Sequence, residues 1–253
     1  MDIERVISMI RETDSIFFDD RLRKDVKKKG DSDFVTRADI EVSEYLRRRL
    51  AETFPHIGFI SEEDEWQGRR EGDFWILDPI DGTTNFMHRL PFCCISLALF
   101  EGDEVTLGVI YSPYTGELFT AEKGKGTYLN GERVYASSSR TLSDSVGLFE
   151  FNAYYKNETE QALDHAQRIY TACPDIRTLG SAALEFAYIA CGRADVYLGR
   201  YLKPWDFAAG MLLVSEAGGR VGGLNKPLDI FEHHQHVIST NSLVFDEFEQ
   251  LLK

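Results

Sequence analysis

The stretch "FWILDPIDGTTNF", Phe74 to Phe86, constrains this chain more than any other. Four apolar or aromatic residues in a row predict a buried strand. Asp78 and Asp81 then stand at its end, three residues apart, ahead of Gly82, Thr83 and Thr84, which start a short helical turn. An ionised carboxylate beside a buried strand is costly unless something positive meets it. A helix N-terminus offers free N–H groups to an anion, with glycine allowing close approach, yet two carboxylates beside that turn would repel the anion. A hard divalent cation between them removes the conflict, because Mg²⁺ is held by a few carboxylates together with substrate phosphate oxygens. Capping is the competing reading, with Asp78 at a turn through Pro79 and Asp81 ahead of the next helix. It explains either aspartate singly and leaves the strand leading into both a coincidence.

The charge balance sharpens the point. With 42 acidic against 28 basic residues the formal net charge is −14, a field that repels nucleic acid and anionic lipid and speaks against both as partners. The same field repels a small phosphate ester, so a phosphate-handling enzyme of this composition needs cations bound locally to reverse the sign. The 253 residues suit one large domain or two intimately packed lobes. Ile3, Val6, Ile7 and Ile10 give the start an amphipathic helical pattern rather than that of a signal peptide, and no run approaches the ~18 apolar residues of a membrane span. Cys93, Cys94, Cys173 and Cys191 lack CxxC spacing and read as reduced thiols of a cytoplasmic protein.

Periodicity predicts helices over 2–21 and 38–53, with the polar loop "KDVKKKGDSD" between them. "FPHIGFI" is a short strand candidate, followed by the acidic "SEEDE" and a polar stretch to Gly72. From "FWIL" through "FCCISLALF", "EVTLGVIYSP" and "GELFTAEKG" to a hairpin turning at Asn130-Gly131, the middle predicts an antiparallel sheet. Serines cluster from Ser137 to Ser143 and suggest a boundary between lobes of about 1–138 and 139–253. Beyond it helices and strands alternate, as in a layered α/β lobe.

"WILDPIDGTTNF" together with "WDFAAGMLLVSEAGG", Trp205 to Gly219, resembles the paired signature of the inositol monophosphatase family, and the similarity in order and spacing spans essentially the whole chain. The resemblance implies an α+β fold, a layered αβαβα sandwich forming a single catalytic domain over 1–253. It implies a Mg²⁺-dependent, lithium-sensitive phosphatase, commonly a homodimer, acting on a small phosphorylated polyol or sugar, with inositol 1-phosphate first. Two or three Mg²⁺ ions would be held by Glu62, Asp78, Asp81, Asp206 and the carbonyl of Ile80, and they would lower the pKa of a bound water. Asp39 and Thr83 would activate that water, with Glu62 also counted in the catalytic set; Gly82, Thr83 and Thr84 would hold phosphate.

Each of these positions also has a structural reading. "SEEDE" is a solvated acidic face when taken alone; the resemblance makes Glu62 a ligand and Glu63 a weaker candidate. Thr36 and Asp39 in "DFVTRAD" have the shape of a capping box. Asp206, one residue before an expected helix, makes a good N-cap. Gly180 and Ser181 open a helix, and the resemblance puts Ser181 and Ala182 of that turn, with Asp206, near the substrate's hydroxyl-bearing part. Of Lys27 to Lys29, a solvated basic loop, Lys28 matches best a lysine near the metals. The "HHQH" run from His233 reads as a surface loop rather than a zinc site. Gly199 departs from the pattern: many family members carry a Glu there, seven residues before the aspartate matching Asp206, that accepts hydrogen bonds from inositol. The neighbouring Arg200 then either meets a second phosphate or carboxylate or sits on the surface. Fructose 1,6-bisphosphate, histidinol phosphate, NADP and 3′-phosphoadenosine 5′-phosphate remain alternative substrates. A non-catalytic regulator that binds another protein and a sugar-binding protein are alternatives of other classes.

Overall fold

A computed structural model describes residues 2–30, 34–65, 68, 71–152 and 155–253. Asp33 and parts of the polar loops before Phe34 and Gly72 lie outside the described residues. The helices are α1 Ile3–Arg11, α2 Asp14–Phe17, α3 Asp20–Lys24, α4 Arg37–Thr53, α5 Thr83–His88, α6 Thr159–Ala172, α7 Ala182–Ala190, α8 Pro204–Glu216 and α9 Phe245–Leu252. The strands are β1 Val26–Lys28, β2 Phe34–Thr36, β3 Gly58–Ser61, β4 Phe74–Asp81, β5 Cys94–Glu101, β6 Glu104–Ser112, β7 Glu117–Glu122, β8 Gly126–Leu129, β9 Glu132–Val134, β10 Val146–Phe149, β11 Asp175–Arg177, β12 Val196–Leu202, β13 Arg220–Gly223 and β14 Gln235–Thr240.

Strands β3 to β9 form a sheet of seven in sequence order, antiparallel except for the parallel pair β3 and β4. A mixed sheet of five has the order β11-β10-β12-β14-β13, and β1 pairs with β2 as a small ribbon. Side chains alternate across β4: Trp75 and Leu77 pack with Val42, Leu46 and Leu50 of α4 on one side, while Phe74 and Ile76 join the core that contains α7 and α8 on the other. That second core also takes Tyr197 and Val237 of the smaller sheet, whose opposite face packs Leu198 and Ile238 against Ile169 of α6 and Phe248 of α9. The layers therefore run helix, sheet, helix, sheet, helix, an α+β sandwich in which β4 is apolar on both faces because both are covered. Among the described residues no helix is long and apolar enough to cross a membrane.

Two elements differ from the sequence expectation. The helix expected over 2–21 is three short ones. The Thr13 hydroxyl turns back to the carbonyl of Ile10, and Asp19 caps α3 by accepting the Arg21 N–H at 2.8 Å, so side-chain bonds replace a continuous helix. Strand β4 does not stop before the acids but runs through them. Between Asp78, opposite Ser96, and Asp81, opposite Cys94, it carries one residue more than β5, a bulge that accommodates Pro79, which lacks a ladder N–H.

The middle helical layer is packed tightly. A Cβ added at Gly210 of α8 would stand 2.4 Å from Cβ of Phe186 in α7. Gly210→Ala is expected to destabilise the protein by about 1–3 kcal/mol through overpacking, measured by urea unfolding; an unchanged midpoint would contradict this packing.

Candidate active site

The bulge of β4, the turn into α5, the start of α7 and the first turn of α8 meet at one cavity of about 270 Å³. Glu62, Asp78, Asp81 and Asp206 all line it, with Ile80, Gly82, Thr83, Thr84 and Ala182. Chain positions far apart in sequence thus face one space. Among the described residues, no three acid, imidazole or thiol groups are gathered as an ion would gather them. Local donors hold three of the carboxylates by one oxygen each. Asp78 Oδ1 accepts the Ile80 N–H at 3.0 Å, and Asp206 Oδ2 accepts the Lys203 N–H at 2.8 Å. Asp81 Oδ2 accepts the Ser181 hydroxyl and the Ala183 N–H, both at 2.7 Å.

Burial and like charge push these acids toward protonation. For Asp78, burial acts first, then Glu62 and Asp81, and its carboxyl is held well above the usual range. Asp206 is raised in the same way by burial and Glu62, against the opposing effect of Lys203. Asp81 is pushed up to about 6 by burial, despite its bonds to Ser181 and Ala183. The donor set is all oxygen and its charges repel one another, which suits a hard divalent cation and no soft metal.

Asp39 is buried behind this wall. The capping box is present: its carboxylate accepts the Thr36 N–H at 2.8 Å and the Thr36 hydroxyl, while its own N–H donates to Thr36 Oγ1 at 3.4 Å. Its other oxygen, Oδ1, lies 3.4 Å from the Thr83 hydroxyl, which also donates to the carbonyl of Ile80 at 3.1 Å. Burial pushes Asp39 up to about 7. Gly82 adopts φ +88°, and a Cβ there would stand 2.8 Å from the carbonyl oxygen of Phe92, so the turn that presents Thr83 admits only glycine.

Several expected positions shift. Asp206 is the third residue of α8 and not its cap, because the helix begins at Pro204, whose missing N–H suits the first turn. Ser181 does not line the cavity; its hydroxyl is committed to Asp81. Arg200 is neither at the cavity nor on the surface. It is fully buried, donating from Nη2 to Gln161 Oε1 at 3.1 Å. The register of β12 shifts between Gly199 and Leu202, Tyr201 takes φ +56°, and it is Tyr201 that faces the cavity. A Cβ at Gly199 would meet Leu202 Cδ1 at 2.4 Å and the Tyr197 hydroxyl at 2.7 Å, so a side chain there requires those two side chains to move. Within the lysine run, Lys29 pairs with Glu63 at 2.8 Å. His236 lies on β14, its ring 4.5 Å from that of Tyr201, and not on a surface loop.

Other cavity residues were not singled out in the sequence. Lys203 reaches within 3.9 Å of Glu62, and its place beside "PWD" was the available signal. Asn85 ties α5 to the turn before α7 by donating to the carbonyls of Phe92 and Leu179, both at 2.7 Å. Glu150, Asn152 and Tyr201 line the same cavity from the smaller sheet; no local pattern marks them, since strand pairing alone brings them there.

The repulsion has a measurable cost. A carboxyl whose folded pKa is raised destabilises the fold above its unfolded pKa, so removing the charge should help at high pH. Asp78→Asn is expected to stabilise the chelator-treated protein at pH 8 by on the order of 1 kcal/mol and to lose most of the gain that Mg²⁺ gives the wild type; thermal unfolding with and without Mg²⁺ reads both, and a less stable chelated variant would contradict the repulsion.

Residues 3–251 match the model of the inositol monophosphatase family. The chain is 36% identical over 218 residues to the Nus factor SuhB of Escherichia coli K12, covering 86% of this chain and 79% of that protein. It superposes on a Thermotoga maritima IMPase with a TM-score of 0.89 at 35% identity, over 100% of this chain and 97% of the other. With an IMPase/NADP phosphatase solved with Mg²⁺ and phosphate the TM-score is 0.86 at 26% identity, over 98% and 94%.

Proposed function

The chain belongs to the inositol monophosphatase family of metal-dependent phosphatases, and we propose that it hydrolyses the phosphate ester of a small polyol, inositol 1-phosphate first, with Mg²⁺. The observation that carries this reading is the convergence of Glu62, Asp78, Asp81 and Asp206 on one cavity beside the Gly82-Thr83 turn. Those acids, with the carbonyl of Ile80, would hold two or three Mg²⁺ ions, which supply the positive charge and Lewis acidity that a phosphate ester requires here.

The chain's own groups do the rest. Thr83, bridged between Asp39 Oδ1 and the Ile80 carbonyl, orients an attacking water, and Asp39, poised near neutrality at about 7, takes its proton. The N–H groups of Gly82 and Thr83, with Thr84, hold phosphate oxygens. Glu62 counts in the catalytic set as well as among the ligands. Ser181 contributes by fixing Asp81. Since Asp206 closes the site from α8, the halves of about 1–138 and 139–253 act as one catalytic domain in this reading. A homodimer, lithium sensitivity and a cytoplasmic setting belong to the same proposal, the last supported by four cysteines that are all unpaired.

A second reading, binding of another protein alongside or instead of catalysis, is favoured only by the name Nus factor carried by the E. coli relative. The two separate in one assay. Asp81→Asn is expected to keep the fold and to lower Mg²⁺-dependent phosphate release from inositol 1-phosphate by roughly 10²–10³-fold, the scale of removing one charge-stabilising group from an active site. Full activity in that variant, or in excess chelator, would sink the metal assignment.

A further inference from the structure

The part of the cavity lining formed by Glu150, Asn152 and Tyr201 holds a carboxyl group that the reaction above does not use. Glu150 follows β10 directly, and its N–H donates to the carbonyl of Leu198 at 3.0 Å, extending the pairing of β10 with β12 to the edge of the cavity. Among the described residues the donor to its side chain is the N–H of Asn152, at a long 3.3 Å. Burial pushes this carboxyl up to about 7. Behind it Glu185, fully buried, is raised still further by burial and by Glu150 itself. Glu150 is half-buried at the cavity, and with one weak donor its carboxyl has acceptor capacity left for a ligand hydroxyl.

The rest of that wall is built and held. Asn152 Nδ2 donates to the carbonyl of Arg200 at 3.0 Å. Tyr201, in a backbone conformation that bulky residues rarely adopt, is stacked on Tyr155 with ring centroids 4.0 Å apart. The only cation among the described residues lining the cavity is Lys203, and it stands beside Glu62 on the ligand side. A substrate whose phosphate lies against the Gly82-Thr83 turn has Glu150, Asn152 and Tyr201 among the remaining cavity residues that can meet its alcohol portion. The groups there are a carboxyl, an amide and an aromatic face, which suit hydroxyls and the C–H face of a ring and oppose a second anion.

We propose that Glu150 is the hydroxyl acceptor of the substrate's alcohol portion. The inference rests on the phosphatase reading above. It also bears on the bare backbone at Gly199: that position brings no carboxyl, and the end of the neighbouring strand β10 does.

The test compares inositol 1-phosphate and glycerol 2-phosphate with p-nitrophenyl phosphate, whose leaving group has no hydroxyl to donate while bound, in Mg²⁺ with wild type, Glu150→Leu and Glu150→Gln. In Glu150→Leu the ratio of kcat/KM for the polyol esters to that for the aryl ester is expected to fall about tenfold or more, mainly through KM, the scale of losing a hydrogen bond to a charged group. Glu150→Gln, which keeps an acceptor oxygen and nearly the same shape, should fall less, and it carries the test if the leucine variant does not fold. A structural role alone would lower both esters together. A ratio within twofold of wild type in both variants overturns the inference and leaves the proposed function standing; a wild type that accepts only the aryl ester overturns the inference and the polyol substrate together, and one inactive on every ester overturns the phosphatase reading as well.

Discussion

Mutual repulsion among carboxylates governs this molecule. Burial and neighbouring acids raise Asp78, Asp81 and Asp206 together, so the fold holds in one place groups that would separate if free. What restrains them is a set of short hydrogen bonds from N–H groups at the ends of α7 and α8 and within the bulge of β4. Helix starts favour negative charge through their exposed donors, and the architecture aims two of them at the acids. The positive charge still missing from that balance is what a divalent cation supplies.

The layered packing makes this arrangement possible. Because β4 is covered on both faces, it can end in acids only where the covering layers part, and that seam is where α7 and α8 begin. The bulge at Pro79 turns Asp78 and Asp81 into the seam, and the irregularity of β12 does the same for Tyr201. In both sheets the interruption of regular pairing, not the regular strand, shapes the cavity.

The sequence disclosed what local chemistry encodes. The apolar run into Asp78, the capping box of Thr36 and Asp39, the Asn130-Gly131 hairpin and the helical period of α8 are all written within a few residues, and the structure contains each of them. What escaped depends on distant pairing. Arg200 reads as a cavity or surface residue until the β12 shift turns it into the core. Ser181 reads as a substrate contact until α7 is placed against Asp81. Glu150 carries no local signal, because its position comes from the parallel alignment of β10 with β12. The N-terminal helix was overextended for a different reason: periodicity records which face is apolar and is blind to a threonine hydroxyl that bonds backward.

Asp206 sits late in the chain, on a helix held between the two sheets. During synthesis the ribosome therefore releases Glu62, Asp78 and Asp81 well before the residue that closes the ring with them. A nascent chain at that stage lacks the middle helical layer that covers β4, so its acids are still in water and the electrostatic penalty arises only as α7 and α8 pack. The four acids thus meet only after α8 has emerged, and a cation that bound among them would favour chains that include α8 over every shorter one.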